Sequence, residues 1–169
     1  MVRLKPFLIG GLVILIGVLA VFYLLPSEEK KVRRQFDLLS QYVAKEPNED
    51  LLSAANRAKN IGRLFVDPCG FKAEGDSFYT LTGKYSREEL TGYAFRGRSY
   101  FSSLSLKFHD LKIEFPERET AEVRLTARLS GRSASGENVD EAREFLSVLQ
   151  KIEKRWLFSQ FEVVEVLKR

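Results

Sequence analysis

Leu111 to Leu129, LKIEFPERETAEVRLTARL, decides the fold, because from Leu106 onward the hydrophobic period is two. Leu111, Ile113 and Phe115 alternate with Lys112 and Glu114, then Ala121, Val123, Leu125, Ala127 and Leu129 alternate with Glu122, Arg124, Thr126 and Arg128. Side chains on a strand point to opposite faces in turn, so this is the signature of two half-buried strands. Pro116-Glu117-Arg118-Glu119 is the turn joining them, which makes the sheet antiparallel, and Gly131 to Asn138 is the next polar connection.

Downstream, Val139 to Lys154 fits two patterns. Val139, Ala142, Leu146, Leu149 and Ile152, with Phe145 beside them, make a helical stripe, whereas Ala142, Leu146, Val148 and Ile152 share one face of a strand. Glu153-Lys154-Arg155 followed by Trp156-Leu157-Phe158 looks like a hairpin into a last strand ending at Leu167, so strand is the reading adopted and helix the alternative.

Upstream the period is helical. Ser27-Glu28-Glu29 opens a first helix with a cap and two acids at the positive end of the dipole, and its stripe is Val32, Phe36, Leu39 and Val43 with Tyr42 alongside. Lys30, Lys31, Arg33 and Arg34 lie off that stripe, as a solvated face or a contact with anionic lipid. Pro47 ends this helix and Asn48 or Asp50 caps a second, whose stripe Leu51, Ala55, Ala58, Ile61 and Phe65 should pack on the first as a hairpin. Asp67-Pro68 ends it, and Cys69-Gly70 turns the chain into short β-prone runs between Phe71 and Tyr85. Ser86-Arg87-Glu88-Glu89 is a capping box that starts a third helix, with Leu90, Ala94, Gly97, Phe101 and Leu104 as its stripe and Arg87, Arg96 and Arg98 on its wet side. The fold class expected is α+β: three helices packed into a strongly curved mixed or antiparallel sheet.

Residues 1–6 form a basic tail, and Phe7 to Leu25, FLIGGLVILIGVLAVFYLL, carries no charge. At 1.5 Å of rise per residue it reaches about 28 Å, close to the roughly 30 Å of a bilayer's hydrocarbon, so it reads as one transmembrane helix preceding the domain at 27–169. A cleaved secretory signal has a shorter apolar core, and cutting after Ala20 would leave Val21 to Leu25 apolar at the new terminus. Basic residues flank both ends of the span. The short tail with Arg3 and Lys5 is taken to stay inside, so the expected placement is a single-pass protein, bacterial inner membrane, with its domain outside the cytoplasm.

The pI near 9.2 invites a nucleic-acid reading. Two of the 27 basic residues belong to the tail, however, leaving 25 against 23 acids that alternate along nearly every segment. Nucleic-acid binders concentrate positive charge on one face, so that partner is excluded. One cysteine, Cys69, and one histidine, His109, leave no multi-cysteine cluster, no His-Glu-x-x-His and no two-histidine facet, so no metal or cofactor is expected.

Two helices, the junction Leu64-Phe65-Val66-Asp67, a short β segment, a third helix over Ser86 to Leu104 and long strands ending with Lys154-Arg155-Trp156-Leu157-Phe158 resemble the nuclear transport factor 2-like superfamily, which includes ketosteroid isomerases and polyketide-cyclase-like proteins. The resemblance covers nearly all of Ser27 to Arg169. It implies a cone whose mouth holds an apolar pocket, and in some relatives a dimer through the sheet, which would use Arg124, Thr126 and Arg128 here. In the isomerases the general base is an Asp a few residues beyond the position matching Asp67; Ala73 stands there, and Glu74 should face the other way.

The catalytic candidates are therefore His109, on a strand face with Lys107, Leu111 and Ile113, and Asp67. His109 is either an acid–base group in the pocket, a role histidine can fill near neutral pH, or a hydrogen-bonded structural residue. Tyr79, Tyr93 and His109 are the ligand-binding candidates, since phenols orient ligands through hydrogen bonds. Cys69 reads as a small buried residue and Trp156 as core. The function expected is a membrane-tethered, noncatalytic module binding a small apolar ligand or a protein. The alternatives are a small isomerase or hydratase using His109, and a cytoplasm-facing domain on anionic lipid.

Overall fold

The computed structural model describes residues 27–72 and 82–166. The expected span at 7–25 and Tyr79 lie outside the described residues, among which no helix is long and apolar enough to cross a membrane. The chain divides between Lys31 and Val32 into two units. Of the first, Ser27 to Lys31 is described: the Ser27 hydroxyl accepts from the Lys30 N–H at 3.3 Å, and Lys31 Nζ pairs with Glu28 Oε1 at 2.8 Å.

The helices are α1 (Glu28–Val43), α2 (Leu51–Gly62) and α3 (Arg87–Ser99). The strands are β1 (Phe65–Lys72), β2 (Thr82–Tyr85), β3 (Phe101–Glu117), β4 (Thr120–Ser133), β5 (Asn138–Ile152) and β6 (Arg155–Val166), in one curved sheet of order β2-β1-β6-β5-β4-β3. β1 runs parallel to β6 and every other neighbour is antiparallel, so the sheet is mixed. Residues 138–152 are strand. Glu153 and Lys154, at φ 49° and 68°, make the two-residue turn into β6.

The caps act as their sequences indicate. Asp50 accepts from the Ser53 N–H at 2.9 Å, and Ser86 and Glu89 bond each other's backbone at 3.2 and 2.8 Å.

Three boundaries and contacts differ from expectation. α2 stops at Gly62, and Phe65 to Lys72, Asp67-Pro68 included, is strand because Phe65 and Phe71 pair with β6. α3 stops at Ser99, since Phe101-Ser-Ser-Leu-Ser-Leu106 has strand alternation and few helix formers; Phe101 and Leu104 thus belong to β3. α2 makes its close approach to α3 and not, as a hairpin, to α1. Gly62 lies against Arg87 and Thr91, where a Cβ would overlap the Thr91 hydroxyl, and Leu51 and Ala55 are exposed.

The core lies between the helices and one face of the sheet. Phe36 of α1 meets Phe108 and Phe158 edge-on, with centroids 5.3 and 5.0 Å apart, and Val32, Leu39, Ile61 and Leu90 bury beside it. On β5 the inward side chains are Phe145, Ser147 and Leu149, so the expected face of Ala142, Leu146, Val148 and Ile152 is the outer one. Register decides this: Ser147 and Leu149 sit opposite the buried Val123 and Ala121 of β4.

β3 closes one edge of the sheet, and α1 and the segment after it reach its outer side. Arg33 Nη2 donates to Leu111 O at 3.3 Å, the Ser40 hydroxyl to Leu106 O, and Lys45 exchanges two backbone bonds with Leu104 at 2.8 and 3.0 Å.

Arg98, expected on the wet side of α3, is 3 % exposed. Its guanidinium forks onto both Glu49 oxygens at 2.8 and 2.9 Å and donates to the carbonyls of Ala44 at 2.9 Å and Val43 at 3.2 Å. Arg57 joins the same carboxylate at 3.1 Å, and Lys45 Nζ donates to Arg98 O and Phe101 O. The last turn of α1, the first of α2, the end of α3 and the start of β3 are tied at one ionic knot. A buried charge survives only where its partners replace water this fully.

Candidate functional site

The two faces of the sheet offer different chemistry. On the inner face an aromatic series runs outward: Phe158 to Phe161 at 5.0 Å, Phe161 stacked on Phe71 at 5.9 Å, Phe71 to Tyr85 at 5.8 Å and Tyr85 to Tyr93 at 5.6 Å. The Arg96 guanidinium ends it, 4.9 Å from the Tyr93 ring centre. Tyr93 is 45 % exposed, so the inner rings pack one another while the last presents a phenol to solvent. Cys69 is fully buried beneath, and burial pushes its thiol up to about 12, which makes it inert at neutral pH.

His109 and Asp67 are not brought together. Both are exposed, on β3 and β1, with β4, β5 and β6 between those strands. His109 does not share a face with Leu111 and Ile113: the ladder is irregular between His109 and Lys112, Asp110 takes φ 55°, and the alternation shifts by one. Phe108, Leu111 and Ile113 pack on the core, while His109 sits opposite Thr126. The ligand candidates Tyr93 and His109 are likewise apart, one on α3 and the other on β3.

The outer face carries a groove of about 690 Å³. Its axis is one row of the ladder, Lys112, Arg124, Leu146 and Glu162, directly opposed across β3, β4, β5 and β6. Thr126 and Glu144 form the adjoining row, and Val164 completes the apolar floor with Leu146. Glu162 pairs with Lys72 of β1 at 2.9 Å, and among the described residues neither Lys112 nor Arg124 makes an ion pair.

Like charges face each other along β3 and β4: Lys107 and Arg128, Lys112 and Arg124, Glu114 and Glu122. Such pairs are destabilising where nothing offsets them. Asp140 offsets the first, gripping Arg128 with two bonds of 2.8 and 2.6 Å. Lys112 and Arg124 stand in the groove, a concave volume within the range of small-ligand sites, with Asp110 at their own end and Glu144 and Glu162 across an apolar floor. The arrangement can hold an anionic group by charge and orient what is attached to it. Sequence reading named Arg124 and Thr126 only as part of a dimer surface and passed over Lys112, Glu144 and Glu162, because alternating Lys, Arg and Glu look like any solvated strand face. Only register puts them in one row.

No family model matches the sequence, and no curated protein does. Solved structures do match. The chain is similar to a candidate scytalone dehydratase from Novosphingobium aromaticivorans, at 17 % identity and TM-score 0.63 over 83 % of this chain and 85 % of that one. It is similar to a type 2 hexachlorocyclohexane dehydrochlorinase, at 12 % identity and TM-score 0.64 over 84 % and 90 %. A candidate dehydratase of the nuclear transport factor 2-like family from Streptomyces avermitilis aligns at 11 % identity and TM-score 0.63 over 84 % and 99 %. At these identities the likeness is one of fold. Three helices against a curved six-stranded sheet, in this order and pairing, give the chain the nuclear transport factor 2-like fold.

Proposed function

We propose that this chain is a noncatalytic binding module, tethered to a membrane through Phe7 to Leu25 with its domain outside the cytoplasm, and that its ligand or protein partner docks on the outer face of the sheet. The groove carries the reading: Lys112 and Arg124 face each other there without an ion pair among the described residues, and with only Asp110 beside them a like-charge pair in a concave site is what an external anionic group would neutralise. Separation of His109 from Asp67 by three strands supports the noncatalytic half, and the dehydratases among the structural neighbours support its alternative, a small lyase or isomerase.

Two measurements test it. A small-molecule panel is screened by thermal shift on the full chain and on Arg124→Gln, and each hit is followed by mass spectrometry. Hits that stabilise the first, lose their effect on the second and return unchanged fit the proposal; conversion of a hit to product would replace it with the enzyme. Glu137→Cys, in a Cys69→Ala background, is then treated in intact cells with an impermeant thiol reagent. Labelling is expected, and protection until lysis would put the domain in the cytoplasm, where Lys30 to Arg34 could meet anionic lipid.

A further inference from the structure

We infer that the outer-face groove takes an elongated zwitterion of tripeptide length, with its carboxylate on Lys112 and Arg124 and its ammonium between Glu144 and Glu162. The inference rests on the binding reading above and names the ligand's chemistry.

Both groove cations stand on β3 and β4, with one acid, Asp110, beside them on β3, whereas Glu144 and Glu162 stand on β5 and β6 with no groove cation on those strands, so the β3–β4 end keeps a net positive charge and the β5–β6 end a negative one. Leu146 lies between them, directly opposite Arg124 on one side and Glu162 on the other. Neighbouring strands are about 4.8 Å apart, so Arg124 and Glu162 are separated by about 10 Å across the sheet. An extended peptide advances about 3.3 to 3.6 Å per residue, so three residues span that distance from amine to carboxylate. A middle side chain would rest on Leu146 and Val164. The acids at the far end also work against a polyanion, whose second charge would meet Glu144.

The poles are not consumed inside the chain. Glu162 shares its carboxylate with one exposed lysine, Lys72, and Lys112 and Arg124 have no acid partner among the described residues.

The test uses the full chain in a nonionic detergent and free Ala-Leu-Ala as probe, followed by calorimetry and by amide shifts of residues 124–126 and 144–146. The free tripeptide should bind there, and acetylating its amine or amidating its carboxylate should each weaken binding by about fivefold, the scale of one exposed ion pair. Arg124→Gln should weaken the free tripeptide yet leave the amidated one unchanged. Equal binding of free and doubly capped peptide would overturn the zwitterion. So would octanoate shifting the groove amides while the tripeptide does not, but that result would leave the groove as a ligand site. If neither probe shifts them, or sedimentation shows the face buried against a second copy, both this inference and the binding reading fall.

Discussion

The same strands do opposite things on their two faces. Inward, β4 contributes Ala121, Val123, Leu125 and Ala127, all below a tenth exposed, against a core of phenylalanines. Outward it contributes Glu122, Arg124, Thr126 and Arg128, of which Arg128 alone is gripped by an acid. The inner face holds the fold together through area and close packing, the outer one has charge in excess of what stability asks for, and the contrast teaches where to look for function. A residue whose partners are complete within the chain is there for the fold, as Arg98 is; a residue kept against its neighbours' charge is there for something else.

The largest test of that division is Trp156→Ala. Trp156 is 1 % exposed, with Phe115 5.8 Å away and the Lys151 ammonium over its ring, so truncation should cost about 3 to 5 kcal/mol and shift the urea midpoint with little change of slope. An unmoved midpoint together with lost ligand binding would transfer Trp156 to the site.

Arg98→Met should come next, destabilising by about 3 kcal/mol because it leaves Glu49 in a nearly dry site with the more exposed Arg57 as its one remaining ion-pair partner among the described residues, while adding Glu49→Leu should recover part of the loss. Independent, additive effects in a double-mutant cycle would show that the knot does not act as a unit.

Ser86→Ala gives the scale for a change on neither face. The Ser86 N–H and hydroxyl hold the Glu89 carboxyl below its ordinary 4.5. A depressed carboxyl adds stability above its unfolded value and loses it as pH falls through its folded one. Wild type should therefore exceed the variant most at neutral pH, and the gap should narrow below pH 4 to what the Glu89 N–H bond to the Ser86 hydroxyl contributes, in urea titrations at each pH.

The smallest effect should have the opposite sign. Arg124→Thr relieves a like-charge pair and should raise stability by about 0.2 to 1 kcal/mol at low salt, a gain that added salt erases. A loss larger than that in the same titration would make the outer row structural and erase the contrast between the faces.

What was legible in the sequence was what is local. Ser86 and Glu89 are three residues apart, so their box could be read directly, as could the alternation from Ala121 to Leu129. Where the answer depended on a distant residue, reading failed. Arg98 looks like any helix-face arginine until Glu49 is folded against it. On β5 both parities offer apolar residues, Phe145 and Leu149 against Leu146 and Val148, so only register with β4 could choose. One non-glycine residue at positive φ, Asp110, was enough to turn His109 away from Leu111 and Ile113. The groove was invisible for the same cause, its four axial residues coming from four strands.

The position of α1 bears on how copies of this chain stay apart. β3 is seventeen residues long and lies at a sheet edge, the kind of exposed ladder on which another molecule's strand can be templated. Arg33, Ser40 and Lys45 already occupy the carbonyls of Leu111, Leu106 and Leu104 along it. A chain clipped by a protease between Val43 and Glu49 would surrender that guard along with the knot. Its fragments should polymerise edge to edge, so this helix serves as an aggregation gatekeeper covalently supplied with the strand it shields.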